Sequence, residues 1–247
     1  MIGIKKRKGC VWAAFSQCIL GSIIIFEIKK SKKVGNSIMV NSKEKEWDKL
    51  LKIRTLGRDD TNANQYNYPY EPTPYEVLER LANSGLIGKK DVVLDYGCGK
   101  GRVDFFLNYQ TKAQTIGIEY DERIYQTVLE NQKTAITEKN AYSGIRKSTT
   151  FLLERAEQYA VPEEVTCCYF FNPFSVELLQ KVIARVTESY YKKPRKIQLF
   201  FYYPSEEYIF YLMTAEGLLF EDEIDCSDIG DGEKQRERIV IFTMDVM

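Results

Sequence analysis

Gly97, Gly99 and Gly101 stand at alternate positions directly after the apolar run Val92-Val93-Leu94-Asp95-Tyr96. A buried strand ending in such a turn lets backbone approach a ligand closely, because glycine takes left-handed conformations without steric cost. Glu119 follows Gly97 by 22 positions, at the end of the next strand-like run, Thr115 to Tyr120. A carboxylate at that place suits the two hydroxyls of a ribose. A mere tight turn needs neither the helix that follows nor this acid. The order strand, loop, helix, strand and acid therefore points to a nucleoside-type cofactor. Histidine is absent from all 247 residues. That excludes Ser-His-Asp and Cys-His hydrolases and His-ligated metals, and leaves proton transfer to Asp, Glu, Lys, Tyr or Cys. Cys10, Cys18, Cys98, Cys167, Cys168 and Cys226 form no C-x-x-C pair, so no metal site is expected. The adjacent Cys167 and Cys168 read as small buried side chains in a reducing compartment.

The spacing separates two cofactors. A dinucleotide site wants Gly-x-Gly-x-x-Gly, whose third glycine packs the helix on the strand with its amino end facing pyrophosphate. Arg102 occupies that third place. The run Asp-x-Gly-x-Gly-x-Gly over Asp95 to Gly101 resembles instead the first motif of the class I S-adenosylmethionine-dependent methyltransferases, and the resemblance covers roughly Tyr75 to Met244. It implies that Asp95 and the loop from Tyr96 through Gly97, Cys98, Gly99 and Gly101 surround the methionine part of S-adenosyl-L-methionine. It also implies that Glu119, with Tyr120 beside it, takes the ribose. An acid after the third strand often holds adenine in that family, commonly in a Gly-Asp-Ala-like turn. Here the sequence departs to Glu154-Arg155-Ala156-Glu157, with Glu157 preferred and Glu154 next, against the plain reading of two solvated acids at a helix start.

Asn172-Pro173-Phe174 follows the apolar run Thr166 to Phe171. Ligands bind at the carboxyl edge of such sheets, which places Asn172 beside the transferable methyl group. The run is similar to the Asn/Asp-Pro-Pro-aromatic motif of amino-methylating members with one proline missing. The resemblance thus implies in-line methyl transfer to a small-molecule or protein acceptor, with a weak preference for nitrogen. A turn with Phe174 in the core is the structural alternative. Tyr66, Tyr68, Tyr70 and Tyr75 offer aromatic faces that attract a sulfonium or ammonium, on the order of 1 kcal/mol each, as a lid; core packing is the rival reading. A cofactor-binding module without activity is the second functional hypothesis. A dinucleotide oxidoreductase, disfavoured by Arg102, is the third.

These groups need a scaffold. Lys43 to Leu56 has helical spacing, and Thr73-Pro74-Tyr75-Glu76 predicts a capping box with Pro74 at the first helical position. Strands are predicted at Val92 to Tyr96, Thr115 to Tyr120, Thr150 to Leu153, Thr166 to Phe171 and Lys196 to Tyr203, with a final hairpin of Leu218 to Asp225 and Arg238 to Met244. Helices are predicted at Arg102 to Tyr109, Glu122 to Thr137, Val176 to about Tyr190 and Glu206 to Thr214. That alternation predicts a three-layer, Rossmann-like α/β fold: a seven-stranded, mostly parallel sheet covered by helices on both faces, with an antiparallel C-terminal hairpin. The expected domains are an extension over 1–38, a helix and tyrosine-rich lid over 39–72, and the methyltransferase domain over 73–247.

Composition bounds the partners. The 35 basic and 35 acidic residues hide a split: residues 1–38 hold eight Lys or Arg and one acid, leaving 27 basic and 34 acidic residues in the body. An acidic body lacks a general attraction for nucleic acid. About 209 residues follow Met39, nearly all used by the sheet and its helices, so no appended recognition domain is expected. Acceptor choice then falls to the tyrosine segment, to Lys139 to Ser148 and to the loop after Asn172. The apolar stretch Cys10 to Phe26 lies between basic clusters and is short for a span of about 30 Å of hydrocarbon. It is either an anchor or sequence upstream of a start at Met39, so the expected location is cytoplasmic, with membrane anchoring through residues 10–26 as the alternative.

Overall fold

Apolar runs that alternate with helical ones give a mixed sheet in a computed structural model that describes residues 42–136, 148–229 and 233–245. In chain order its elements are α1 (Tyr75–Asn83), β1 (Val92–Tyr96), α2 (Arg102–Thr111), β2 (Gln114–Glu119), α3 (Glu122–Ile136), β3 (Thr149–Leu153) and β4 (Cys167–Phe170). There follow α4 (Val176–Lys192), β5 (Ile197–Tyr202), α5 (Glu206–Thr214), β6 (Leu219–Asp225) and β7 (Arg238–Met244). The strand order is β3-β2-β1-β4-β5-β7-β6. β7 runs antiparallel to both neighbours and all other pairs are parallel. Sequence reading placed all seven strands within one or two residues of these bounds.

The chain divides into two compact units, Met1–Glu46 and Trp47–Met247. Of the first, only residues 42–46 are described, and they are helical. The expected anchor at 10–26 and all but the last residue of Lys139 to Ser148 lie outside the described residues. Among the described residues no helix is long and apolar enough to cross a membrane.

The central strands β1 and β5 are buried along their whole length, as a sheet with helices on both faces requires. On one face Val93, Tyr169 and Phe200 pack under α1 and α2; on the other Leu94, Cys168 and Leu199 pack under α4 and α5. The second face also carries an aromatic ladder. Tyr96, Phe170 and Phe201 occupy matching positions on β1, β4 and β5. Their rings stack at 4.8 Å and 4.5 Å with interplanar angles of 9° and 8°. This cross-strand stack aligns the carboxyl ends of the three strands that a ligand at the sheet edge would meet.

Two local expectations are corrected. The helix expected to reach Leu56 ends at Leu51, and Lys52 turns left-handed at φ 58°. The cause is Asp48, whose carboxylate accepts hydrogen bonds from the Thr55 backbone N–H (2.7 Å) and hydroxyl (2.6 Å) and draws the chain out of the helix. Residues 53–72 then run as an irregular strap. Pro74 is the residue before α1 rather than its first helical one, because the Thr73 hydroxyl meets the Tyr169 hydroxyl at 3.1 Å and its carbonyl accepts from Arg102.

Gly101 starts α2 at φ 84°, and a Cβ there would lie 2.6 Å from Val128 Cγ2, 2.9 Å from Phe151 Cζ and 3.0 Å from Phe105 Cε2. Gly101→Ala is therefore expected to lower unfolding free energy by about 2 kcal/mol or more, from left-handed strain and overpacking together. Urea denaturation followed by far-UV circular dichroism checks this; an unchanged midpoint contradicts it.

Candidate functional site

The carboxyl ends of β1, β2 and β4 open into one cleft. Asp95, Gly97 and Cys98 line it from β1 and its loop; Glu119, Tyr120 and Asp121 line it from β2. Glu154 and Glu157 contribute after β3, Tyr169 from β4, and Phe171, Pro173 and Phe174 after it. Gly97, Gly99 and Gly101 all have positive φ, at 76°, 57° and 84°. A Cβ on Gly97 would stand 2.8 Å from Pro173 Cβ, so the glycine loop and the loop after β4 approach as closely as backbone allows.

Glu119 binds that loop. Its Oε2 accepts from the Gly99 N–H at 3.0 Å, and its Oε1 accepts from the Tyr120 and Asp121 N–H groups at 2.9 Å each. The acid found from spacing alone thus also shapes the loop it was paired with. Asp95 is 2 % exposed, and its Oδ2 is buried with no donor. It interacts with Asp104 of α2, itself 1 % exposed with neither oxygen meeting a donor. Two carboxyls in such a place are stable only if they share a proton.

The strap closes the cleft from outside. The Tyr70 ring edge sits on Gly99, 2.3 Å from where a Cβ would be, with Lys100 Nζ 4.5 Å from its centre. The Tyr68 N–H donates to the Pro173 carbonyl (3.1 Å) and the Ser175 N–H to the Tyr66 carbonyl (2.8 Å). Asp59 pairs with Arg123 at 2.8 Å, and the Asn62 amide donates to Asp121 Oδ2 at 2.6 Å.

Not all predicted site residues meet here. Tyr75 is fully buried, its hydroxyl donating to Asp48 at 2.7 Å and its ring stacked on Trp47, so it is core and no part of a lid. The Tyr96 side chain lies in the aromatic ladder on the opposite sheet face. Asn172 turns left-handed at φ 40°; Phe171, Pro173 and Phe174 line the cleft while Asn172 does not, and its Oδ1 is buried without a donor. Glu157 is half-buried, 3.8 Å from Arg155, and Glu154 is exposed; both line the cleft. Gly99 and Gly101 do not line it, because Tyr70 covers the first and α3 and β3 side chains pack on the second. Sequence reading missed Asp104, Asp121 and Arg102 as site-builders. Asp121 had a signal, an acid just before a helix, and it caps α3 by accepting from Arg123 N–H at 2.9 Å. Arg102 had none, since its partners are distant in the chain.

No family model matches the chain. It is 30% identical over 96 residues to a "Protein-lysine N-methyltransferase" of Saccharolobus islandicus (strain REY15A), a match covering 38% of this chain and 57% of that protein. The chain thus spans little more than half the length of the curated relative it matches. Among solved structures it resembles a candidate tRNA (m1A22) methyltransferase of Streptococcus pneumoniae, with TM-score 0.50 and 15% identity over 72% of each chain. It also resembles the O-MT segment of StiE, with TM-score 0.50 and 12% identity over 70% of this chain and 74% of that one. The fold is that of the class I S-adenosylmethionine-dependent methyltransferases.

The buried carboxyls make the cleft pH-sensitive. Burial raises Glu119 from 4.5 to about 7, against its three backbone N–H donors, and raises Asp95 from 3.8 to about 7 and Asp104 well above 3.8. Because these values are higher folded than unfolded, the folded state holds more protons between about pH 4 and pH 7, and stability falls as pH rises through that window. Thermal melts of the ligand-free protein from pH 5 to pH 8 are expected to show this decline. Asp104→Asn, which replaces a buried acid by a neutral donor facing Asp95, is expected to flatten it; a profile as steep as wild type contradicts the assignment.

Proposed function

We propose that this chain is an S-adenosylmethionine-dependent methyltransferase whose acceptor is an amine. The single observation that carries the reading is the convergence in one cleft of the glycine loop, the Glu119 carboxylate and the orphaned Asp95 oxygen. These groups fit the cofactor's chemistry. Asp95 Oδ2 lacks a donor, which an ammonium of the methionine part would supply. Glu119 ends β2 where a ribose diol needs an acceptor. The backbone of Gly97 and Cys98 borders the cleft, and Tyr96, Gly99 and Gly101 hold that turn. Tyr120 and Glu157 are assigned to the nucleoside end, with Glu154 beside them.

When bound, the cofactor supplies an electrophilic methyl group on a sulfonium, so the protein's task is alignment and exclusion of water. The strap performs the second task, its Tyr68 and Tyr70 roofing the cleft. The loop of Asn172, Pro173 and Phe174 performs the first. Pro173 and Phe174 face the cleft, and Asn172, outside the lining, sets their turn with its left-handed backbone. Seven Asp or Glu side chains and two guanidiniums line the cleft, one of the latter being the buried Arg102. That balance favours an amine that arrives as an ammonium and gives up its proton before transfer over a phosphate-rich acceptor, as do the acidic body and the likeness to a protein-lysine N-methyltransferase. A protein lysine or a small amine has this chemistry.

Calorimetry with S-adenosylmethionine, S-adenosylhomocysteine and NAD tests the cofactor. Binding of the two sulfur nucleosides alone is expected, and Glu119→Gln is expected to weaken it at least tenfold. Preferred binding of NAD, or none by any of the three, refutes the reading. Radiolabelled cofactor with fractionated extract tests the acceptor, label being expected in protein or amine metabolites rather than RNA.

A further inference from the structure

Arg102 stands directly after the last glycine of the loop and is 2 % exposed. Its Nε donates to the Thr55 hydroxyl at 2.7 Å and its Nη1 to the Thr73 carbonyl at 3.0 Å. Its guanidinium carbon lies 4.2 Å from the Tyr75 ring centre, and its Nη2 is 3.7 Å from Asp48 Oδ1. Thr55 lies near the start of the strap and Thr73 directly follows it, so one side chain holds both ends. Asp48 secures the first end through two bonds to Thr55. The Thr55 carbonyl in turn accepts from the Tyr70 hydroxyl at 2.6 Å, and that tyrosine is the residue lying on Gly99.

We propose that Arg102, seated on Asp48, is a positioning residue that clasps the strap to the glycine loop and so sets how long the cofactor stays bound. This rests on the cofactor reading above. The physical reason is connectivity. Arg102 moves with Gly101 and α2, because they are adjacent in the chain, while Thr55, Tyr70 and Thr73 move with the strap. A ligand that orders the loop thereby tightens the roof, and a roof held shut slows release. A guanidinium suits the place because its planar fork meets a hydroxyl, a carbonyl, a carboxylate and a ring at once, which a lysine ammonium does not.

The test uses the full chain and S-adenosylhomocysteine as probe. Release of tritiated ligand into excess cold ligand is measured for wild type, Arg102→Lys and Asp48→Asn, well below each melting temperature. In parallel, tryptic cleavage after the exposed Arg58 of the strap is followed by mass spectrometry with and without ligand. Release at least tenfold faster, association within twofold of wild type, and loss of ligand protection at Arg58 are expected for both variants. A purely structural role lowers the melting temperature without moving release from the folded fraction. Should Arg102→Lys not fold, Tyr70→Phe carries the test, since it deletes the bond to Thr55 and keeps the ring on Gly99. Unchanged release and protection in a folded variant overturn the clasp alone. Failure of wild type to bind the probe overturns the cofactor reading beneath it.

Discussion

The buried cluster of Arg102, Asp48, Thr55, Thr73 and Tyr75 is the constraint on which the shape of the cleft depends. A guanidinium and a carboxylate removed from water cost several kcal/mol each unless hydrogen bonds replace the lost hydration. Here Asp48 accepts from three donors and Arg102 donates to two oxygens and faces a ring. A pair compensated in this way adds little to net stability. Its effect is on specificity, since the observed path of residues 53–73 brings both charges their partners. The left-handed turn at Lys52, the start of α1 and the seat of Tyr70 on Gly99 follow from that path.

Beside this cluster lies a second set of buried carboxyls, of which Glu119 is met by three backbone donors and the Asp95–Asp104 pair by none. Asp95, Asp104 and Glu119 lie within a few side chains of one another under a roof of aromatic residues. Their burial favours the neutral forms, while the backbone donors on Glu119 favour the charged one. The buried Asp95–Asp104 pair is therefore an unfavourable arrangement unless it holds a proton.

The fold is shared by a candidate tRNA methyltransferase and the O-MT segment of StiE. It supplies the sheet edge and the glycine loop, and the acceptor is decided by what lies on top. In this chain that is the strap and the loop after β4, joined to each other by backbone hydrogen bonds at Tyr66 and Tyr68. Movement of either alters the other. The two segments form one surface over the cleft, whose lining is aromatic and acidic.

By itself the sequence determined the layered architecture, the strand order of the core elements along the chain, the glycine turn and the paired acid. All of these are local: burial periodicity, left-handed backbone and the distance between two strand ends are written in consecutive residues. The tertiary structure alone decided that Tyr75 and Tyr96 face the core while Tyr70 faces the loop, that Asn172 turns away from the cleft lining, and that Arg102 fastens the strap. Four equivalent tyrosines in sequence become unequal only when packing chooses which ring meets a glycine and which a buried carboxylate. Arg102 reaches Thr55 across 47 positions of chain, and no nearby residue type announces such a partner. Close packing and the need to satisfy every buried charge select it once the strands have brought those segments together.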